Sequence, residues 1–354
     1  PPQDARIRLK LDANEGRPPG ASVLNRALAA IQASSNRYST PRRLEALIAE
    51  TQGVTAEQVL VTAGGDEAID RLCRVFLEPG RRMVATTPSF EMIPHYARSA
   101  GAMVEAIEWW GGPFPVTGAI AAASGAAVLS VVSPNNPTGA VIAPTDLIAL
   151  SCALPATLLL VDLAYAEYAD LDLTALALSL PNTVVIRTFS KFFGLASLRV
   201  GYALGPEPII RAMRAAAGPF PVSAFSLAAA ETCITRPDGS ASAAAARVRA
   251  ERAELSSFLN ALGVPSLPTQ GNFVLAQFRD ARDTHERLLE QGVSVRTFSA
   301  LNLHDRLRIT LPGNENEFRT LLSALEASVS AGRSFIAASP SHRGGTQIDS
   351  REGV

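Results

Sequence analysis

The chain reads as an α/β protein built on a mostly parallel sheet sandwiched by helices, joined to a smaller α+β domain. Three observations carry that reading. Seven short apolar, β-branched runs recur at 59–62, 83–86, 103–107, 127–132, 157–162, 183–187 and 200–204. Their hydrophobicity is continuous rather than alternating, as expected of strands covered on both faces. Longer stretches with helical periodicity separate them, 67–77 and 144–152 among them, so strand and helix alternate along the chain. In order, the first 35 or so residues are expected to join the smaller domain or lie over the cleft. Residues 38–230 form the large domain. After Gly218-Pro219-Phe220-Pro221 the pattern changes. An Ala/Arg/Glu-rich stretch, 241–262, predicts a long helix stopped by Gly263. A strand at 272–277, a helix at 283–291, short runs at 293–296 and 307–310 and a helix at 315–330 complete a domain spanning 231–335. From about 336 onward Ser, Pro, Gly and charges dominate, which predicts a disordered tail to residue 354. No internal repeat is visible.

Composition narrows the function classes. The 354 residues are 47% hydrophobic and 18% charged, with a formal net charge of -1. That balance suits a globular enzyme or binding protein and gives no electrostatic reason for a nucleic-acid or anionic-membrane partner. The apolar runs are strand-length, far short of the roughly 20 residues that span a bilayer. No basic-then-apolar leader opens the sequence, and the expectation is a cytoplasmic protein. Cys73, Cys152 and Cys233 are odd in number and widely spaced, so they read as reduced thiols. The four histidines show no ligand spacing, and no metal site is expected.

Lysine usage is the most pointed signal. The chain has two lysines, Lys10 and Lys191, against thirty arginines. Lysine, unlike arginine, can lose its proton and attack a carbonyl to form a Schiff base. Lys191 lies in Ser190-Lys191-Phe192-Phe193-Gly194-Leu195-Ala196-Ser197-Leu198-Arg199, an apolar segment where a retained lysine invites that reading, chance survival being the alternative. Asp162 ends a buried run, where a carboxylate needs a cation or strong donors. A protonated pyridine nitrogen would serve; capping the next helix is the structural alternative. Ser133-Pro134-Asn135-Asn136-Pro137-Thr138-Gly139 puts a polar turn at the carboxyl edge of the sheet, where open α/β sheets bind ligands, although an ordinary strand-to-helix turn also fits. Gly64-Gly65-Asp66-Glu67 opens a helix through glycines, a turn suited to a phosphate, and it lacks the dinucleotide-binding spacing. Ser190 and Arg199 suit a phosphate as well. Phe90 could stack on a flat ring or pack in the core. Together these pieces describe a site for a carbonyl-bearing, phosphorylated pyridine, pyridoxal 5′-phosphate.

In these motifs the chain resembles the fold-type I pyridoxal-phosphate aminotransferases, and within them the histidinol-phosphate aminotransferase group. The markers are S-P-N-N-P-T-G at 133–139, V-D-x-A-Y at 161–165 and S-K-x-F-G-L-A-x-L-R-x-G-Y at 190–202. The resemblance implies a seven-stranded large domain and assigns roles residue by residue. Lys191 becomes the Schiff-base lysine and proton shuttle, and Asp162 the partner of the pyridinium. Tyr165 and Asn136 bond the ring's phenolic oxygen. Gly65, Asp66, Ser190 and Arg199 hold the cofactor phosphate, with Thr188 at its rim, and Phe90 stacks on the ring. Tyr38 matches a tyrosine that reaches the neighbouring subunit's phosphate, which implies a homodimer. Arg308 matches the substrate-anion arginine, with Arg296 a second. The opening Leu11-Asp12-Ala13-Asn14-Glu15 resembles a segment that covers the active site. Where the family usually has N-E-N-P, this chain has Asn14-Glu15-Gly16-Arg17-Pro18. The implied reaction transfers an amino group from histidinol phosphate to 2-oxoglutarate. An aromatic or other amino-acid aminotransferase, or a lyase such as a threonine-phosphate decarboxylase, is the alternative on the same scaffold.

Overall fold

A computed structural model describes residues 7–337. The expected tail therefore lies almost wholly outside the described residues. Strand β1 (Leu9–Leu11) leads through an extended segment to helices α1 (Ala21–Ile31) and α2 (Arg42–Gln52). Gly53 ends α2 in the left-handed conformation that a helix stop favours. An alternating series follows: β2 (Val59–Thr62), α3 (Gly64–Phe76), β3 (Arg82–Thr87), α4 (Met92–Ser99), β4 (Met103–Glu108), α5 (Val116–Ala123), β5 (Val128–Val132), α6 (Pro144–Ala153), β6 (Leu158–Asp162), α7 (Thr174–Leu178) and β7 (Thr183–Thr188). The chain then turns back through β8 (Gly201–Leu204) into α8 (Glu207–Ala215) and α9 (Ala224–Thr235). The last section holds α10 (Ser240–Ala261), β9 (Phe273–Gln277), α11 (Ala281–Glu290), β10 (Val293–Val295), β11 (Arg306–Thr310) and α12 (Glu315–Ala337).

The seven strands β2 to β8 form one sheet in the order β2-β8-β7-β6-β5-β3-β4. Six run parallel, and β8 is antiparallel to both its neighbours. The continuous hydrophobicity of the strands has its cause in two cores, one on each face. Val61, Leu129, Val131, Leu159, Val161 and Val185 point into one, against α1, α2, α6 and α9. Leu60, Met83, Val128, Leu160, Val184 and Ile186 point into the other, against α3, α4 and α8. Side chains alternate between faces, so the strands covered on both faces must be apolar at nearly every position. The edge strand β4, by contrast, is largely exposed and carries Glu105 and Glu108.

A third core gathers β9, β11, α10, α11 and α12 around Phe273, Leu307 and Phe318. Here β9 and β11 pair antiparallel, and β1 pairs parallel with β10. The N-terminal stretch is thus divided. β1 joins the C-terminal layer, whereas α1 packs into the sheet-side core through Val23 and Ala27. The expected boundary at 230 falls inside α9, whose Leu227, Ala229, Ala230 and Cys233 pack on the sheet side. The adjacent Trp109 and Trp110 have different surroundings. Trp109 is 3% exposed and meets Phe114 edge-on, while Trp110 lies beneath the Arg306 guanidinium at 4.7 Å from its ring centre. Among the described residues no helix is long and apolar enough to cross a membrane.

Candidate active site

Neighbouring strands place the first group of polar side chains. In register, Thr62 of β2 stands opposite Gly201 of β8, and Gly201 opposite Thr188 of β7. β2 runs directly into α3, which has no side-chain cap, so the N–H groups of its first turn, Gly65 and Asp66 among them, have no partner within the helix. A Cβ on Gly201 would come within 2.5 Å of the Gly64 carbonyl carbon and the Gly65 nitrogen. Only glycine lets β8 run this close to the turn. The Thr188 hydroxyl donates to Ser190 Oγ at 2.9 Å. Arg199 donates to Ser190 Oγ at 3.4 Å and to an Asp66 carboxylate oxygen at 2.9 Å. Unpaired amides, two hydroxyls and a guanidinium thus surround one cup, an arrangement suited to a phosphate.

The next strand in the sheet supplies Asp162, aligned with Val132 of β5 and Ile186 of β7. It is 5% exposed and accepts a hydrogen bond from the Ala164 N–H at 3.0 Å. Burial pushes its carboxyl up to about 6, offset in part by that bond and by the Lys191 charge. A buried carboxylate held this high fits a site made for a cation. The Lys191 ammonium lies 5.7 Å from the Tyr165 ring centre and donates to the Ala13 carbonyl at 3.1 Å. Tyr165 is buried, edge-on to Phe273.

The turn after β5 gives its two asparagines different tasks. Asn135 is fully buried, donates to Pro88 O and Thr138 Oγ1, and accepts from Ser89 Oγ. It holds the turn to the segment after β3. Asn136 faces the cleft, and its Oδ1 accepts from Arg308 Nη1 at 2.5 Å. Arg308 is 7% exposed and also donates to the Asp12 carbonyl at 2.7 Å. Its acceptors among the described residues are neutral, and its Nε has no partner. Burial pulls this guanidinium down to about 10. Arg296 exchanges backbone hydrogen bonds with Arg308 and sets its own side chain at the mouth, 3.6 Å from Glu91.

Ten residues singled out in the sequence therefore meet here: Gly65, Asp66, Asn136, Asp162, Tyr165, Thr188, Ser190, Lys191, Arg199 and Arg308. Phe90 follows the Ser89 that bonds Asn135 and packs half-buried on the α3 and α4 side. Tyr38 stands apart. It is 84% exposed and stacks on Phe220 at 4.6 Å.

Sequence reasoning noted a covering segment but not its fastenings. Lys10 binds Asp12 at 2.9 Å and Glu15 at 2.8 Å. A Cβ on Gly16 would sit 1.7 Å from the Lys191 carbonyl oxygen, so the departure from the family pattern at this position lets the strap lie flat on the lysine loop. Asn14 and Thr310 were missed altogether. The available signal was Lys10 itself, the one other lysine, with acids two and five residues on.

The sequence model of class I and II aminotransferases matches residues 7–325. The chain belongs to that family. This aminotransferase is 36% identical to the histidinol-phosphate aminotransferase of Symbiobacterium thermophilum over 335 residues, 92% of this chain and 91% of that one. It is 35% identical to that of a Ruegeria species, covering 90% of each. Among solved structures, a histidinol-phosphate aminotransferase from Sinorhizobium meliloti in complex with pyridoxal 5′-phosphate superposes with a TM-score of 0.84 at 25% identity, covering 92% of this chain and 91% of that one. A Thermus thermophilus aspartate aminotransferase with maleate gives 0.78 at 25% identity, covering 90% and 91%. The aminotransferase fold is the fold-type I α/β arrangement these neighbours share.

Proposed function

We propose that this aminotransferase uses pyridoxal 5′-phosphate to convert L-histidinol phosphate and 2-oxoglutarate into imidazole acetol phosphate and L-glutamate. One observation carries the reading: buried Arg308, without a carboxylate partner among the described residues and beside Arg296, shares a cleft with Lys191. A buried cation left to neutral acceptors suits an anionic substrate group. The phosphate of histidinol phosphate and the carboxylates of glutamate would both answer it. Relatives named for this reaction, about 35% identical over some nine-tenths of the chain, support the choice.

The residues present fit the cofactor. Asp162, buried at the end of β6, would accept a hydrogen bond from the pyridinium N–H and keep that nitrogen protonated. Gly65, Asp66, Ser190 and Arg199 would hold the phosphate, with Thr188 at the rim, and Phe90 would lie on the ring. When bound, pyridoxal 5′-phosphate supplies a carbonyl that bonds amines and a ring that withdraws electrons from the substrate's α-carbon. Lys191 Nζ would hold the proton leaving the substrate's α-carbon, serving first as base and then as acid. Tyr165 and Asn136 would hydrogen-bond the ring's phenolic oxygen, and Arg308 with Arg296 would hold the substrate's anionic end so that its C–H bond faces Lys191. Residues 12–16 exclude water from above. We read 38–230 as the cofactor domain and 231–335 as the smaller one, in a cytoplasmic homodimer in which Tyr38 reaches the neighbouring subunit's phosphate.

The test is to follow the visible absorbance of the cofactor-loaded protein while single amino donors are added. Loss of the absorbance with histidinol phosphate at low concentration, and its return with 2-oxoglutarate, is expected. Response only to glutamate or aromatic amino acids would discard this donor; carbon dioxide without a keto product would mean a lyase. Lys191→Arg should abolish turnover with the fold intact, and a Lys191→Arg protein that still transaminates would refute the mechanism.

A further inference from the structure

Asn14 lies at the centre of the strap and is 1% exposed. Its φ of +53° is left-handed, a conformation glycine and asparagine tolerate best. Glycine would satisfy that backbone alone. The side chain is engaged instead, and the hydrogen-bond directions around it follow one from another. The Asn14 backbone N–H can only donate, and it donates to Thr310 Oγ1 at 3.0 Å. The Thr310 hydroxyl proton, 2% exposed on β11, is left for the acceptor within its reach, Asn14 Oδ1 at 3.2 Å. That fixes the amide orientation, so Nδ2 is the atom facing Tyr165 at 3.0 Å. An amide nitrogen donates, and the Tyr165 oxygen therefore accepts. Asn272 Nδ2 closes the arrangement by donating to the Asn14 carbonyl at 3.2 Å.

We propose that Asn14 is a positioning residue that acts through Tyr165. By filling an acceptor site of the phenol, it leaves the phenol's own proton to donate into the cleft onto which Lys191 opens. It also polarises that O–H, since hydrogen bonds in a chain strengthen one another. The charged and titratable groups around this phenol are Lys191 over its ring, Arg308 and Tyr168. Among the described residues the hydrogen-bond donor to its oxygen is Asn14. Asn14 thus ties the covered state of the cleft to the proton donation of Tyr165.

This inference rests on the pyridoxal-phosphate reading above. Its test is a pH titration of the visible absorbance of the cofactor-loaded protein in three variants. Asn14→Gly keeps the left-handed backbone and removes the amide. Asn14→Asp keeps the shape and puts an acceptor where the donor was. Thr310→Val removes the hydroxyl that orients the amide. With weaker donation from Tyr165, less charge is drawn off the ring oxygen, and the titration midpoint should rise. The expected rise is roughly 0.5–1 pH unit for Asn14→Gly, more for Asn14→Asp and less for Thr310→Val. Midpoints equal to wild type in both Asn14 variants would overturn the proposal even if their melting temperatures fell, because a purely structural role moves only the latter. A wild-type protein with no titrating band would overturn the cofactor reading and this inference with it.

Discussion

Burial moves Asp162 and Arg308 away from their ordinary titration ranges, and each displacement has a measurable consequence. The Asp162 carboxyl sits near 6 when folded against 3.8 as its ordinary value. The folded chain therefore binds its proton more tightly than the unfolded one. Stability from this group is fully present below about pH 4 and is lost as pH rises through 6, on the order of 2–3 kcal/mol. Urea titrations of the cofactor-free protein at pH 4.5 and 7 should show that loss in wild type and not in Asp162→Asn. Equal pH slopes would refute it. At Arg308, Lys replacement keeps a charge and loses the fork. The KM for anionic donors should rise roughly 10- to 100-fold, with little change for an uncharged amine. Lys191, Asp162 and Arg199 were legible because each sits in a local run whose chemistry is unusual. Asn14 was not, because its meaning lies in a bond to Thr310, 296 residues away, and to Tyr165, 151 away. Nothing in an ordinary Ala-Asn-Glu run announces either partner.

Among elements, strands were the most legible. The run at 59–62 coincides with β2, and the other large-sheet runs lie within a residue or so of their strands, because both faces of the strands inside the sheet are buried. The edge strand β4, largely exposed, was marked by Met103, Val104 and Ile107 instead. Several helices carried weaker signals. α5, Val-Thr-Gly-Ala-Ile-Ala-Ala-Ala, and the alanine-rich α9 have little polar contrast to mark a face. The division of the N-terminal stretch was hidden for another reason: whether α1 packs on the sheet or on the smaller layer is decided by its partners, not by its own pattern. The close approach between β8 and the start of α3 makes a clear prediction. Gly201→Ala forces a methyl against backbone that cannot yield locally. We expect a loss of about 1–3 kcal/mol in stability, with weakened pyridoxal-phosphate affinity measured by equilibrium titration. Unchanged affinity at normal stability would show that the cup does not depend on this approach.

At the scale of the molecule, the exposed Tyr38–Phe220 stack is the part of the predicted site that a single chain does not bring to its own cleft. If Tyr38 serves a neighbouring subunit, two crippled proteins can repair each other. Lys191→Arg and Tyr38→Ala, mixed and allowed to exchange subunits, should recover about a quarter of wild-type activity, since half the dimers are mixed and each holds one intact site. Activity no greater than the sum of the separate proteins would place Tyr38 outside the neighbouring site. The polar cup proposed to hold a phosphate has a different origin. Its walls rise from β2, β8 and β7, three adjacent strands, with Thr62, Gly201 and Thr188 in one row. Strand spacing in a hydrogen-bonded sheet is close to 4.8 Å whatever the side chains. The width of the cup is therefore measured out by main-chain hydrogen bonds, as by a ruler, and a lineage can exchange residues around its rim without losing the gauge.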